Sequence, residues 1–257
     1  MTSDADAPSL DAPEDEAPRG SMTLLHHLLE LRTRVTWSAG AVMLGMIIFF
    51  IPAVGFAAIE FLKEPALSQN ANFRTQAITP MENIVTFFRV ALLGGLAIGM
   101  PMLVYQSMRF VTPALTPSEK RWLYPIVIGA SLSFVLGMAF AYFLVLPPAF
   151  KFLFSFGADE IADPNPTISS YMDLTTRLIL ILGFVFETPI VVMGLAKLGV
   201  VSARKLIGFW RWAIVGGFAI SAVATPTPDP IVQTLVAGPM ITLYFLGIGL
   251  AWLVRRD

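Results

Sequence analysis

Apolar runs about as long as a membrane crossing alternate with shorter polar segments along most of this chain. A helix needs about 20 mostly apolar residues to cross the hydrocarbon of a bilayer. Six runs meet or approach that length, at about 35–54, 84–110, 122–146, 174–198, 207–223 and 230–254. The fifth is the shortest. It meets the sixth through the Pro-rich turn Thr225-Pro226-Thr227-Pro228-Asp229-Pro230, so the two read as a short hairpin. The expected fold is an all-α integral membrane protein of six transmembrane helices, with short fifth and sixth spans. Spans 1–3 show no repeat in spans 4–6, which argues against the inverted-repeat architecture of many secondary transporters.

The polar positions place the helix starts. Thr79-Pro80-Met81-Glu82 and Thr116-Pro117-Ser118-Glu119 both fit a capping box with Pro at the first helical position. Asp229-Pro230 supplies a cap and first-turn Pro for span 6, and Ser169 or Ser170 is placed to cap span 4. Ahead of span 1, Leu24 to Arg34 forms an amphipathic helix: Leu24, Leu28 and Leu31 share one face, and His26, His27, Glu30 and Arg34 the other. The connections near residues 55–79 and 147–170 are long and Pro-bearing, and read as ordered caps on the outer face. Residues 1–21 are acidic, rich in Pro and Ala and without periodicity, which reads as a disordered tail. That tail has neither a basic n-region nor an apolar h-region, so it does not read as a signal peptide. The membrane domain then covers 22–254, and 255–257 form a cytoplasmic end.

Composition sharpens this picture. Of 257 residues, 56% are hydrophobic and 14% charged, well below the roughly 25% charged of a soluble domain. The mean hydropathy is +0.71. Net charge is −1, so no basic field points to nucleic acid. With no Cys, thiol chemistry and disulfides are excluded. Basic residues set the orientation. With the N-terminus inside, twelve of the 17 lie in cytoplasmic segments and three (Lys63, Arg74, Lys151) lie outside. Both termini are therefore expected in the cytoplasm.

Few polar side chains occupy the spans. Glu187 does, in Phe186-Glu187-Thr188-Pro189. A charge at bilayer depth costs roughly 3 kcal/mol or more, so such residues are usually functional or paired. Two readings stand: a functional site, or a protonated carboxyl bonded to a neighbouring helix. Glu30 also has two, an i,i+4 pair with Arg34 or a carboxylate offered to a ligand. Glu119 is both a helix-cap position and a carboxylate on the same cytoplasmic face. Together Glu30 and Glu119 suit a cationic ligand, above all an Arg fork. Asp229 reads as a cap, with Gln233 one turn on. No span contains His, and Ser131 and Ser133 lack a base, so an intramembrane enzyme is not expected and no cofactor is implied. A proton- or ion-coupled solute transporter using Glu187 is the alternative function.

Several motifs resemble the TatC family, the large subunit of the twin-arginine protein translocase. They are Leu29-Glu30-Leu31-Arg32-x-Arg34, Pro101-x-x-x-Tyr105-Gln106-x-x-x-Phe110-x-x-Pro113-x-Leu115-x-x-x-Glu119, Phe186-Glu187-x-Pro189, and Thr225-Pro226 with Pro228-Asp229-Pro230 and Gln233. Ser131 to Ala149 also resembles that family's third span. The resemblance covers about 22–254. It implies a receptor and scaffold, in the cell membrane of a prokaryote, for the twin-arginine signal peptides of folded precursors. It implies single-span TatA and TatB-like partners, self-association in a larger complex, and transport driven by the proton-motive force. Carried over, Glu30 and Glu119 take the Arg pair, and Arg32, Phe110, Pro113 and Leu115 shape the surrounding patch. Glu187, Asp229 and Gln233 become polar sites where partner helices dock. A fifth span of about 17 residues, short of the usual 20, is expected to thin the bilayer locally.

Overall fold

The computed structural model describes residues 24–69, 73–111, 123–155, 166–197, 201–225 and 230–254. The acidic tail, the Thr116 capping box, Pro113, Leu115, Glu119 and Asp229 lie outside the described residues.

Helix α1 runs unbroken over Leu24–Phe50. The amphipathic segment and the first span are thus one rod, about 40 Å long. It stops at Phe50 rather than continuing to residue 54. Pro52 has no N–H to donate and biases Ile51 towards extended backbone, and Ile51 sits at φ −65°, ψ 118°. The chain restarts there as α2, Pro52–Leu67, so much of the first connection is helical. Helix α3, Pro80–Val111, begins at the expected proline. Its cap is a variant of the expected box: the Glu82 N–H donates to the Thr79 carbonyl (3.1 Å) and the Thr79 hydroxyl to the Glu82 carboxylate (3.5 Å).

The third apolar run holds α4, Leu123–Phe140, and a π-helical turn, Ala141–Val145, and the helix continues past the expected end at 146 as α5, Leu146–Ser155, so the start of the following connection is helical. In that turn the Leu146 N–H reaches back to the Ala141 carbonyl. The widening sits directly before Pro147 and Pro148, whose rings press on carbonyls four residues back in a regular helix. The fourth run is also split, into α6, Ile168–Phe186, and α7, Thr188–Lys197. Thr167 caps α6, in place of Ser169 or Ser170. Its side chain accepts from the Ser170 N–H at 3.1 Å. The capping residue shifts upstream because Thr167 is extended (φ −68°, ψ 150°) and pinned beside Gln76, whose carbonyl accepts from the Ile168 N–H at 2.9 Å. The last elements are α8, Ala203–Gly208, α9, Trp210–Ala224, and α10, Pro230–Val254. The fifth apolar run forms a short helix, with 15 residues in α9. The sixth, expected to be short, forms a helix of 25 residues, α10, long enough to cross a membrane.

Five described helical stretches are long and apolar enough to cross a membrane, and α9 is a shorter apolar helix. Large apolar side chains point outward along them, among them Met43, Leu44 and Ile47 on α1 and Ile128, Leu132 and Leu136 on α4. On a soluble protein such a surface marks an interface or an aggregation liability. On this protein it faces lipid. Buried Leu62, Val145, Leu146, Phe150, Met172 and Leu178 form the main core where α2, α5 and α6 meet.

Glycine sets how α1 meets α3. A Cβ on Gly45 would lie 2.8 Å from the Gly95 carbonyl oxygen, and one on Gly95 would lie 2.7 Å from the Val42 carbonyl oxygen. Gly99 closes on Val42 one turn further along. Lipid tails are as apolar as leucine, so helices gain from close packing rather than from hydrophobic burial, and small residues four apart permit it. Gly95→Leu is therefore expected to destabilise the protein by about 2 to 3 kcal/mol, read as a lower detergent melting temperature. Gly40→Ala, where a Cβ meets nothing within 4 Å, is expected to leave the melt unchanged.

Candidate functional site

The α1–α3 contact brings the start of α1 against the end of α3. There the Glu30 carboxylate accepts from Arg34 Nε at 3.0 Å and also from Arg34 Nη2. Arg34 Nη1 donates to Gln106 Oε1 at 3.3 Å. The side chains of Arg34 and Glu30 are 16% and 19% exposed, so the pair is more sheltered than a surface i,i+4 bridge. Gln106 is buried. A cavity of about 760 Å³ opens beside this network, with Glu30, Arg34, Trp37, Tyr105, Gln106 and Arg109 on its walls. Arg109 caps the Tyr105 side chain, with its guanidinium 6.0 Å from the ring centroid and Nη1 3.4 Å from the hydroxyl. A second cavity of about 650 Å³ shares Arg34 and Gln106 and continues along the helices past Val42, Leu103 and Phe110. The first cavity is carboxylate-bearing and aromatic, and the second is apolar.

The expected site residues divide accordingly. Glu30 lines the first cavity and Phe110 the second. Arg32 is exposed and lines neither, because two residues along a helix turn its side chain to the opposite face. Tyr105, Gln106 and Arg109 join the expected residues on the first cavity's wall; the i,i+4 spacing of Tyr105 and Arg109 puts those two on one face.

Glu187 lines neither cavity. Pro189 has no N–H, so the helix breaks at Glu187, whose N–H bonds the Phe184 carbonyl at 3.1 Å and whose own carbonyl takes the Ile190 N–H at 3.0 Å. The Phe186 carbonyl is thereby released, and the Ser133 hydroxyl of α4 donates to it at 2.6 Å. The neighbouring helix thus satisfies the backbone group that proline frees, as a membrane interior demands. Glu187 is buried, and its Oε1 has no hydrogen-bond partner among the described residues.

Gln233 is committed to the α9–α10 hairpin. Its Nε2 donates to the Phe218 carbonyl at 3.1 Å, and its carbonyl accepts from the Ser221 hydroxyl at 2.7 Å. Glu187 and Gln233 are not brought together. Pro189 packs on Gly247 of α10, about 21 Å along that helix from Gln233.

These features define a polytopic helical membrane protein with a carboxylate-bearing cavity between α1 and α3 and a buried carboxyl at a break between two helices. A family model described as "Sec-independent protein translocase protein (TatC)" matches residues 26–239. TatC of Synechocystis is 36% identical over 243 residues, covering 94% of this chain and 93% of that protein. TatC of Aquifex aeolicus is 37% identical over 237 residues, covering 91% and 97%. The crystal structure of the twin arginine translocase receptor TatC matches with a TM-score of 0.78 at 35% identity, covering 90% of this chain and 100% of that one. The chain belongs to the TatC family of translocase components, which are not enzymes.

Ser133→Ala is expected to destabilise the protein by about 1 kcal/mol by orphaning the Phe186 carbonyl. Ser131, whose hydroxyl bonds Val127 in its own helix at 2.7 Å, is expected to tolerate alanine with an unchanged melting temperature.

Proposed function

We propose that this chain is the signal-peptide receptor and core scaffold of a twin-arginine translocase that exports folded proteins under the proton-motive force. One observation carries the reading: the Glu30 carboxylate, on the wall of a 760 Å³ cavity, already holds a guanidinium, that of Arg34. An incoming arginine exchanges one guanidinium for another. The carboxylate stays paired throughout, so binding avoids the penalty of leaving a sheltered charge alone. Released Arg34 retains Gln106 as an acceptor. Glu119 supplies a second carboxylate for the other arginine of the pair, and Pro113 and Leu115 contribute to the patch that receives the peptide. The apolar cavity running past Phe110 suits the hydrophobic stretch of a signal peptide. Arg32, exposed on the opposite face, contributes positive potential rather than a cavity wall.

In this reading the chain crosses a prokaryotic cell membrane six times with both termini in the cytoplasm, as the twelve-to-three distribution of basic residues favours. Residues 22–254 form the membrane domain. Single-span TatA and TatB-like proteins dock where polar groups lie within the spans, at Glu187 and at the Asp229–Gln233 end of the hairpin. The Oε1 of Glu187, without a protein partner among the described residues, supports the first of these. Short α9 thins the bilayer beside it.

The test is affinity for a fluorescent signal peptide in nanodiscs. Glu30→Ala is expected to weaken binding by tenfold or more, and a Lys-Lys peptide to bind the unaltered chain as weakly, because ammonium groups lack the planar fork. Glu187→Ala is expected to keep peptide affinity and to lose crosslinks to the single-span partners. Undiminished affinity in Glu30→Ala sinks the receptor site. Solute uptake by the purified chain alone, abolished by Glu187→Ala, favours a coupled transporter instead.

A further inference from the structure

At the other end of α3 lies a cluster that the receptor reading does not use. Asp173 of α6 bridges two arginines, with Oδ1 3.3 Å from Arg89 Nη1 of α3 and Oδ2 2.5 Å from Arg177 Nη2 of α6. Arg89 also donates to the Ser169 carbonyl at 3.2 Å. Both arginines follow the start of their helix by nine residues, a depth of about 14 Å. Along α3 the cluster is about 25 Å from Gln106. Two guanidiniums share one carboxylate, so the triad carries one positive charge in excess. None of the three is sealed away: Arg89, Asp173 and Arg177 are 34%, 40% and 46% exposed.

Beside the triad lies a cavity of about 310 Å³. Phe150, Leu153, Phe154 and Leu174 form its apolar wall, and Ser170, Asp173 and Arg177 its polar rim. The Tyr171 hydroxyl, also at this cavity, is engaged by the Leu62 carbonyl at 2.7 Å. Arg177 and Ser170 are left as the donors at the rim, the Ser170 oxygen accepting from the Thr167 hydroxyl at 2.9 Å and keeping its own proton to give.

An excess cation within a membrane-spanning helix draws an anion, and basic pockets between such helices take lipid headgroups. We propose that the Arg89–Asp173–Arg177 triad and its cavity bind the phosphodiester headgroup of an anionic membrane lipid. Arg177 pairs with a phosphate oxygen, the Ser170 hydroxyl with a second, and the glycerol and upper acyl carbons lie on Phe150, Leu153 and Leu174. Free inorganic phosphate offers the same oxygens and gains nothing from that apolar wall. The lipid also ties α3 to α6 at the end of the bundle opposite Glu30.

Native mass spectrometry of the intact chain tests this, with retention of phosphatidylglycerol compared with phosphatidylcholine. The unaltered chain is expected to prefer phosphatidylglycerol roughly fivefold per available arginine. Arg177→Gln is expected to lose that preference and Arg177→Lys to keep much of it. Asp173→Asn, which frees guanidinium charge, is expected to raise it. Millimolar inorganic phosphate is expected not to displace the lipid. Full preference in Arg177→Gln overturns the proposal, as does complete displacement by inorganic phosphate. Loss of preference in Asp173→Asn, in step with a lowered melting temperature in both variants, also overturns it and leaves a purely structural ion triad.

Discussion

Gly45 and Gly95 let α1 and α3 touch backbone to backbone, and most of the functional geometry depends on that contact. In a bilayer, helices do not associate to escape water. Their register is held by shape and by hydrogen bonds. Once Gly45, Gly95 and Gly99 fix the register of α1 on α3, Arg34 faces Gln106 across a sequence gap of 72 residues. Glu30, one turn earlier, then falls on the cavity wall. A shift of one residue would turn the carboxylate by about 100° and close the site.

The second constraint is backbone satisfaction. Proline occurs within or beside several spans, and each freed carbonyl needs a donor that lipid does not supply. Three of these places show different solutions. Pro52 ends one helix and starts another. Pro147 and Pro148 follow a widened turn. Pro189 breaks α6 from α7, and Ser133 on α4 donates to the released Phe186 carbonyl. That break also leaves Glu187 buried with one oxygen unpaired among the described residues.

Much of the fold was legible in the sequence because hydropathy reports which segments meet lipid. The starts of α3 and α10 follow from Pro80 and Pro230, and the Glu30–Arg34 pair follows from helical spacing. Other features were hidden because they depend on a distant partner. Thr167 rather than Ser169 or Ser170 caps α6 because Gln76 pins the backbone at Thr167 and Ile168. The α1 helix ends early because proline outranks hydropathy at residues 51–52. Arg89 and Asp173 meet across 84 residues, and Gln106 meets Arg34 across 72, and helical spacing on one segment does not reveal its partner on another. The family resemblance makes Gln233 a polar site for a partner helix, and hydrogen bonds across the hairpin engage both its side-chain amide and its backbone carbonyl.

Site-directed photo-crosslinking from the cavity wall tests the central claim most directly. A photoreactive side chain replaces Tyr105, inside the first cavity, or Ile128, on the lipid-facing surface of α4. If Glu30 and its cavity receive the arginine pair, a signal-peptide adduct forms from position 105 and disappears when that pair becomes Lys-Lys. Position 128 gives none. An adduct of equal strength from both positions, or one from 105 that ignores the loss of the arginines, contradicts a receptor site at this end of the bundle.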